Sequence, residues 1–137
     1  MTESIGEDII PRVEYDDFGT ELKESLRSKV ERLGYCGEIW RVGANAPKSM
    51  FCFAEMTEAL KSETDMKLVE LVALTSAGIM GNTYERNQHE RLSNTLEYGR
   101  DWIKQVNELQ AEPGRHMSDA ECAVQKYVIA AIYRRGH

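Results

Sequence analysis

The chain lacks the features of proteins that bind nucleic acids, cross membranes or enter the secretory pathway. Its 137 residues carry a formal net charge of −6 and show no basic stripe interleaved with aromatic residues, so it would repel a phosphate backbone. Its longest apolar stretch is interrupted by Glu70 and is too short to span a bilayer. The acidic first residues lack the positive start and apolar core of a signal peptide. We therefore expect a cytoplasmic protein that binds neither nucleic acid nor membrane.

Cysteine is scarce, and its spacing matches no zinc or dithiol motif. The three cysteines, Cys36, Cys52 and Cys122, are odd in number and widely separated, and no two of them form a CxxC pair. The simplest interpretation is that they are reduced thiols that behave as small apolar side chains.

Proline and glycine are also few, three and ten respectively, and they fall between segments of helical periodicity. No segment alternates between apolar and polar residues as a strand would. The pattern predicts an all-α protein with about six to seven helices, organised as one helical domain at residues 19–137 after an acidic arm at residues 1–18. The predicted helix starts are Thr20, Glu38, Pro47, Thr64 or Asp65, Asn82, Asp101 and Ser118.

The segment from residue 68 to residue 89 carries the candidate chemistry. Glu70 lies inside an apolar helix, where an ionised carboxylate must be paired, hydrogen-bonded or protonated. Glu85 and His89 follow on the next helix, one turn apart, so their side chains point to nearly the same side. Leu92 continues that side, which predicts that it faces protein.

Three interpretations of the Glu85–His89 pair remain open. A carboxylate beside an imidazole fixes the orientation of the ring, which suits a general acid/base. The same spacing is typical of a contact that stabilises a helix by about 0.2–0.5 kcal/mol. The pair also supplies two metal ligands, although His116 and His137, in a loop and at the terminus, do not make an obvious third. In the same way, Glu70 is either functional or simply paired with an arginine or a lysine.

Polar residues near the start of the second helix are candidates for substrate binding. Asn82, Tyr84 and Gln88 lie there, and a helix N-terminus favours anions such as a substrate carboxylate. Asn82 is also suited to cap the helix, and Tyr84 to form a wall of the site.

The arrangement Glu70 … Asn82-Thr83-Tyr84-Glu85 … His89 is similar to the core motif of the carboxymuconolactone decarboxylase / alkylhydroperoxidase D-like superfamily. In that superfamily a glutamate lies in the apolar helix before the break and a histidine lies on the following helix. The resemblance covers roughly residues 47–132 and implies a helical bundle of the alkylhydroperoxidase D-like type. The two cysteines of the peroxidase branch would fall on Asn82 and Glu85, so this chain lacks the nucleophile of dithiol peroxidase chemistry.

The Glu-x-x-x-His pattern instead resembles the decarboxylase branch, whose reaction uses neither a metal nor an organic cofactor. The resemblance implies a lyase that acts on a small carboxylated or lactone-type metabolite, and a homo-oligomer such as a trimer or a hexamer. It implies that His89 is the general acid/base, Glu85 its orienting partner and Glu70 a second proton-handling group. Two alternatives stay open, namely an antioxidant peroxidase that uses the remaining cysteines and a non-catalytic oligomeric module that retains the fold.

Overall fold

The structure, a computed structural model, describes residues 10–134, in which there are seven α-helices, one short 3-10 helix and no β-strand. The predicted all-α class is therefore confirmed. Residues 1–9 of the predicted arm and residues 135–137 lie outside this range. No helix in the described part is long and apolar enough to cross a membrane. The elements are the 3-10 helix Tyr15–Asp17 and the α-helices α1 (Thr20–Leu33), α2 (Glu38–Gly43), α3 (Pro47–Ser62), α4 (Met66–Met80), α5 (Thr83–Thr95), α6 (Arg100–Asn107) and α7 (Asp119–Tyr133).

The chain divides into two compact units, and the division falls in the last turn of α3, between Leu60 and Lys61. The core of the first unit contains Phe18, the last residue of the predicted arm. The buried side chain of Lys29 lies beside this core. Its Nζ lies 4.4 Å from the centre of the Trp40 ring and forms a 2.9 Å ion pair with Glu58. The buried core residues of this unit are Phe18, Leu22, Leu26, Trp40 and Ala54.

Helix α4 is the centre of the second unit and packs against α5, α6 and α7. Its sequence is apolar on almost every side, and the side chains of Val72 and Met80 remain 38% and 69% exposed. A buried hydrogen-bonded link holds α7 to both neighbours, since the Gln125 Nε2 group donates to Thr75 Oγ1 of α4 at 3.2 Å and to the Val106 carbonyl of α6 at 2.9 Å. The buried core consists of Leu71, Leu74, Trp102, Ile103, Val106, Met117 and Cys122.

Side-chain caps determine where three of these helices begin. The Asp65 carboxylate accepts the backbone N–H groups of the first turn of α4, and the Asn82 side chain accepts that of Glu85 in α5. Ser118 forms a reciprocal capping box with Glu121 at the start of α7. The caps at Asn82 and Ser118 were predicted from the sequence and are confirmed. The sequence placed the start of α4 at Thr64 or Asp65, and the cap at Asp65 agrees with that start.

The sequence predicts that the helix beginning at Asn82 runs to Tyr98, with Gly99 as its stop. In the structure α5 ends earlier, at Thr95, and Gly99 is the N-cap of α6. The helix closes through two hydrogen bonds of a Schellman motif, one from the Tyr98 N–H to the Ser93 carbonyl and one from the Glu97 N–H to the Asn94 carbonyl. This closure requires a left-handed backbone, and Glu97 adopts it with a φ of 57°. A glutamate is an unusual residue for that conformation, which is why the sequence pattern did not reveal the end of the helix.

The strain at Glu97 generates the first prediction. We expect Glu97→Gly to stabilise the protein by about 0.5–1 kcal/mol, because glycine adopts a positive φ without the steric cost that an L side chain incurs. Urea unfolding followed by circular dichroism measures the change.

Leu109 provides a matched control, because it closes α6 with a φ of 56° in the same motif. Its side chain lies within 3.8 Å of the position that a Cβ on Gly78 would occupy, so it also packs against α4. We expect Leu109→Gly to lose this packing and to show no net gain. A loss of stability in Glu97→Gly would contradict the explanation by backbone strain.

Glu121 joins three helices through one buried carboxylate. Its Oε2 accepts the Ser118 N–H at 2.6 Å, and its Oε1 accepts both the Trp102 indole N–H of α6 and the Lys67 ammonium of α4 at 3.0 Å. Burial alone would raise the pKa of Glu121. The hydrogen bonds from Ser118 and Lys67, with the positive charge of Lys67, outweigh it and hold the pKa below its ordinary value of 4.5.

The lowered pKa of Glu121 generates the second prediction. Because the folded-state pKa lies below the unfolded value, the stability that this carboxylate contributes is complete above pH 4.5 and is lost as the pH falls through the folded-state pKa. We expect Glu121→Gln, which can still complete the capping box, to be less stable by about 1–3 kcal/mol near neutral pH. Thermal melts from neutral to acidic pH should show that difference shrinking. A difference that stays constant would contradict the assignment.

Candidate functional site

The two helices on either side of the Gly81-Asn82 turn bring Glu70 and His89 into contact. Glu70 faces the interior of the second unit from α4 and has no solvent-exposed surface. Its Oε2 lies 2.8 Å from Nδ1 of His89 on α5. When Glu70 is ionised it can only accept hydrogen bonds, and in that state the contact requires a proton on Nδ1 of the ring. The partner of the buried acid is therefore a histidine, where the sequence had also allowed an arginine or a lysine.

Glu85 approaches the same ring from the other side. Its Oε2 lies 3.5 Å from Nε2 of His89, one helical turn away, and its side chain is 38% exposed. The predicted pair on α5 therefore exists, but it is the looser of the two contacts that His89 makes. The imidazole lies between one buried and one accessible carboxylate, and Leu92 continues the same face of α5 into the core.

The two carboxylates lie on opposite sides of the imidazole, and this placement decides whether the three side chains could bind a metal ion together. Each carboxylate meets a different ring nitrogen, so the three groups surround the imidazole and do not point at one common centre. Within residues 10–134 no cluster of three or more histidine, cysteine or acidic side chains has the geometry of a metal site. His116 is exposed in its loop, and His137 lies outside the described residues. The arrangement suits proton transfer, because a doubly protonated ring would direct each N–H at a carboxylate.

The three predicted substrate-binding residues lie along the first two turns of α5. Asn82 uses its side-chain oxygen to cap the helix, accepting the Glu85 N–H at 3.1 Å. Tyr84 is 36% exposed and precedes Gln88, which is half-buried, by one helical turn. The side chains of these last two residues share a face of α5 next to the one that carries Glu85 and His89.

Sequence reasoning missed Tyr98, which follows the end of α5 and lies within electrostatic reach of Glu70. Burial first, and then the negative charges of Glu70 and Asp65, raise the pKa of the Tyr98 phenol. The ring packs edge-on against Trp102 at a centroid distance of 5.5 Å. No local spacing links residue 98 to residue 70. The only hint in the sequence is that two aromatic residues, Tyr98 and Trp102, lie on either side of Gly99.

The three cysteines are free thiols in different environments: Cys36 is half-buried, Cys52 is exposed and Cys122 is buried. Burial is the main reason that the pKa of Cys36 and the pKa of Cys122 are raised above the ordinary value of a thiol. A raised pKa lowers the fraction of thiolate, which is the reactive form of cysteine. Neither Cys36 nor Cys122 therefore has the environment of an activated nucleophile.

A separate open groove of about 440 Å³ lies between α5 and α6. Glu90 and Asn107 line it and are joined by a 2.6 Å hydrogen bond from the Asn107 amide to the Glu90 carboxylate. None of Glu70, Glu85 and His89 lines this groove. The cavity and the polar triad are therefore distinct features of the second unit.

The chain was compared with models of protein families, with curated proteins and with solved structures, and nothing matched it in any of the three comparisons.

The burial of Glu70 generates the third prediction. His89→Leu should destabilise the protein by about 3–5 kcal/mol, because it leaves a fully buried carboxylate without its hydrogen-bond donor. Glu70→Leu should cost less, about 1–2 kcal/mol, since His89 is partly exposed and can be hydrated. The double variant should be within about 1 kcal/mol of the natural protein, because apolar residues commonly replace a buried ion pair without loss.

Urea unfolding of the four proteins measures this double-mutant cycle. Arg86→Leu is a control, because it removes an exposed ion pair with Glu90 on the same helix at 3.8 Å and should change stability by less than about 0.5 kcal/mol. A double variant as unstable as His89→Leu would mean that the pair itself supplies net stability.

Proposed function

We propose that the protein is a cofactor-free acid/base enzyme, similar to carboxymuconolactone decarboxylase, that acts on a small carboxylated or lactone-type metabolite. The observation that carries this proposal is the fully buried carboxylate of Glu70 bound to Nδ1 of His89 at 2.8 Å. A buried acid of this kind is costly to retain, and a carboxylate that orients an imidazole is a recurring device of proton-transfer sites.

The two contacts of His89 give its nitrogens different roles. Nδ1 is held by the buried Glu70, so its proton stays in place and the orientation of the ring is fixed. Nε2 faces Glu85, whose side chain is accessible, so it is the nitrogen that can exchange a proton with a substrate. The proposal therefore makes Glu70 the orienting partner, a role that the sequence had assigned to Glu85. Glu85 stabilises the charged ring before the proton is transferred.

Decarboxylation needs the proton that this arrangement can deliver. When the bond between the substrate carbon and its carboxylate breaks, CO2 leaves and the electron pair remains as an enolate next to the lactone carbonyl. The doubly protonated ring of His89 then donates its Nε2 proton to that carbanion, while its Nδ1 proton stays on the hydrogen bond to Glu70. The ring regains the Nε2 proton from water, so the enzyme returns to its starting state.

Substrate contacts are proposed for the neighbouring face of α5. Tyr84 and Gln88 lie one turn apart there, close to the helix N-terminus, which favours a substrate carboxylate. Asn82 acts in this proposal by capping α5, which fixes the position of Glu85 at the start of the helix. Its role is therefore to position the site instead of touching the substrate.

Membership of the carboxymuconolactone decarboxylase / alkylhydroperoxidase D-like superfamily is part of the same proposal. It is supported by the contact between the two residues that match the motif glutamate and histidine, Glu70 and His89. The positions that match the cysteines of the peroxidase branch hold Asn82 and Glu85, a helix cap and a carboxylate. This combination favours acid/base chemistry over thiol chemistry.

The fourth prediction tests the proposed function with His89→Gln. We expect turnover of a carboxylated lactone to fall by at least about a hundredfold, since a general acid/base contributes roughly 10²–10⁴ in rate. The assay follows CO2 release from a panel of small carboxylated lactones, with a chelator present and no cofactor added. Circular dichroism and a melting curve show whether the variant is folded.

His116→Gln is the matched control, because it removes an exposed histidine from a loop and should leave both activity and stability unchanged. Full activity in folded His89→Gln would remove the assignment. An inactive natural protein, together with a large loss of stability in His89→Gln, would favour the alternative that the triad is only a buried polar cluster.

A further inference from the structure

Of the sixteen residues of α3 only Ala54 is buried, and the opposite side of the helix exposes a large apolar surface. This apolar stripe consists of Cys52, Phe53, Met56, Ala59 and Leu60, which recur at helical spacing and therefore lie on one face. Its three largest side chains are 40%, 54% and 61% exposed, in chain order. Neighbouring exposed apolar side chains of this size are typical of a surface that binds another protein.

The apolar stripe is nearly symmetric along the helix about Met56. Cys52 and Leu60 are equally far from Met56 on its two sides, and so are Phe53 and Ala59. A two-fold axis through Met56, perpendicular to the helix, would bring an antiparallel second copy into register. Each apolar position would then meet an apolar position of the other copy, which is the self-complementarity that a two-fold interface requires.

The charges at the two ends of α3 favour the same antiparallel arrangement. Lys48 is in the first turn and Glu63 directly follows the helix, and both side chains are exposed without a partner among residues 10–134. Both charges oppose the helix dipole, which favours anions at the N-terminus and cations at the C-terminus. The helix itself therefore does not explain them. In the antiparallel pair, Lys48 of each copy would lie beside Glu63 of the other.

We propose that α3 forms a homodimer interface in which a second copy of this chain packs antiparallel across Met56. The apolar stripe supplies the buried centre of the interface, and the two Lys48–Glu63 pairs set the direction of the helices. Electrostatic pairs at the edge of an interface chiefly select partner and register, as required here. The proposal concerns α3 and the residue that follows it, and it does not depend on the function of the triad around His89.

The fifth prediction concerns the centre of this interface. Sedimentation velocity of the natural protein should show a monomer–dimer equilibrium across micromolar concentrations. Met56→Glu should weaken dimerisation by at least about a hundredfold, because it places two like charges beside each other on the two-fold axis. Tyr127→Glu is the matched control, since Tyr127 is a 74% exposed apolar residue on α7, and it should leave the dimer intact. Leu60→Gln is a second, milder test of the apolar stripe and should also weaken dimerisation. Circular dichroism shows whether each variant is folded.

Charge reversal tests the direction of the helices. Lys48→Glu and Glu63→Lys should each weaken dimerisation by roughly threefold to thirtyfold, because each places like charges beside each other. The double variant should restore dimerisation, because both ion pairs form again with their positive and negative members interchanged. The reactivity of Cys52, the exposed cysteine, should fall as the protein concentration rises, as followed by mass spectrometry of the labelled peptides. A protein that stays monomeric, forms a trimer, binds lipid vesicles through the apolar stripe, or is not restored by the double charge reversal would overturn the proposal.

Discussion

The burial of the Glu70 carboxylate is the constraint on which the arrangement of the second unit depends. An acid with no exposed surface needs a donor inside the protein, and His89 provides it from the next helix. That contact fixes how far α5 folds back along α4. The turn between the helices agrees with it, because Gly81 adopts a left-handed backbone with a φ of 64° and Asn82 caps α5. Local turn chemistry and a long-range charge pair thus specify the same register, which is the consistency expected of a sequence with one folded state.

A second polar contact anchors α4 on its other neighbours. Lys67 reaches Glu121 of α7, and the same carboxylate accepts the indole N–H of Trp102 on α6. An almost wholly apolar helix could pack in several rotations about its axis, whereas two charged side chains with specific partners permit one. Ion pairs with a buried member contribute little net stability, because the desolvation of that member offsets much of their attraction. We infer that the polar residues of α4 mainly set its orientation.

The local features of this fold could be predicted from the sequence, and the long-range ones could not. The caps at Asn82 and Ser118 are determined by side chains within three residues of the groups they bind, so their spacing reveals them. The contact between α4 and α5 at Glu70 depends on the register of two helices, which no periodicity encodes, and the sequence left its partner open. The end of α5 was missed for a different reason, since Glu97 adopts a conformation that residue preferences disfavour.

The different partners of the two nitrogens of His89 are the strongest argument for the proposed acid/base role. A histidine that served only to neutralise Glu70 would need one contact, through Nδ1, and its other nitrogen could be covered by apolar side chains. Here Nε2 instead faces Glu85, an accessible carboxylate at 3.5 Å, so this side of the ring is polar. The motif resemblance aligns Glu85 with a position that holds a thiol in the peroxidase branch. In this chain a carboxylate faces the imidazole at that position, and the proposed acid/base role needs no thiol there.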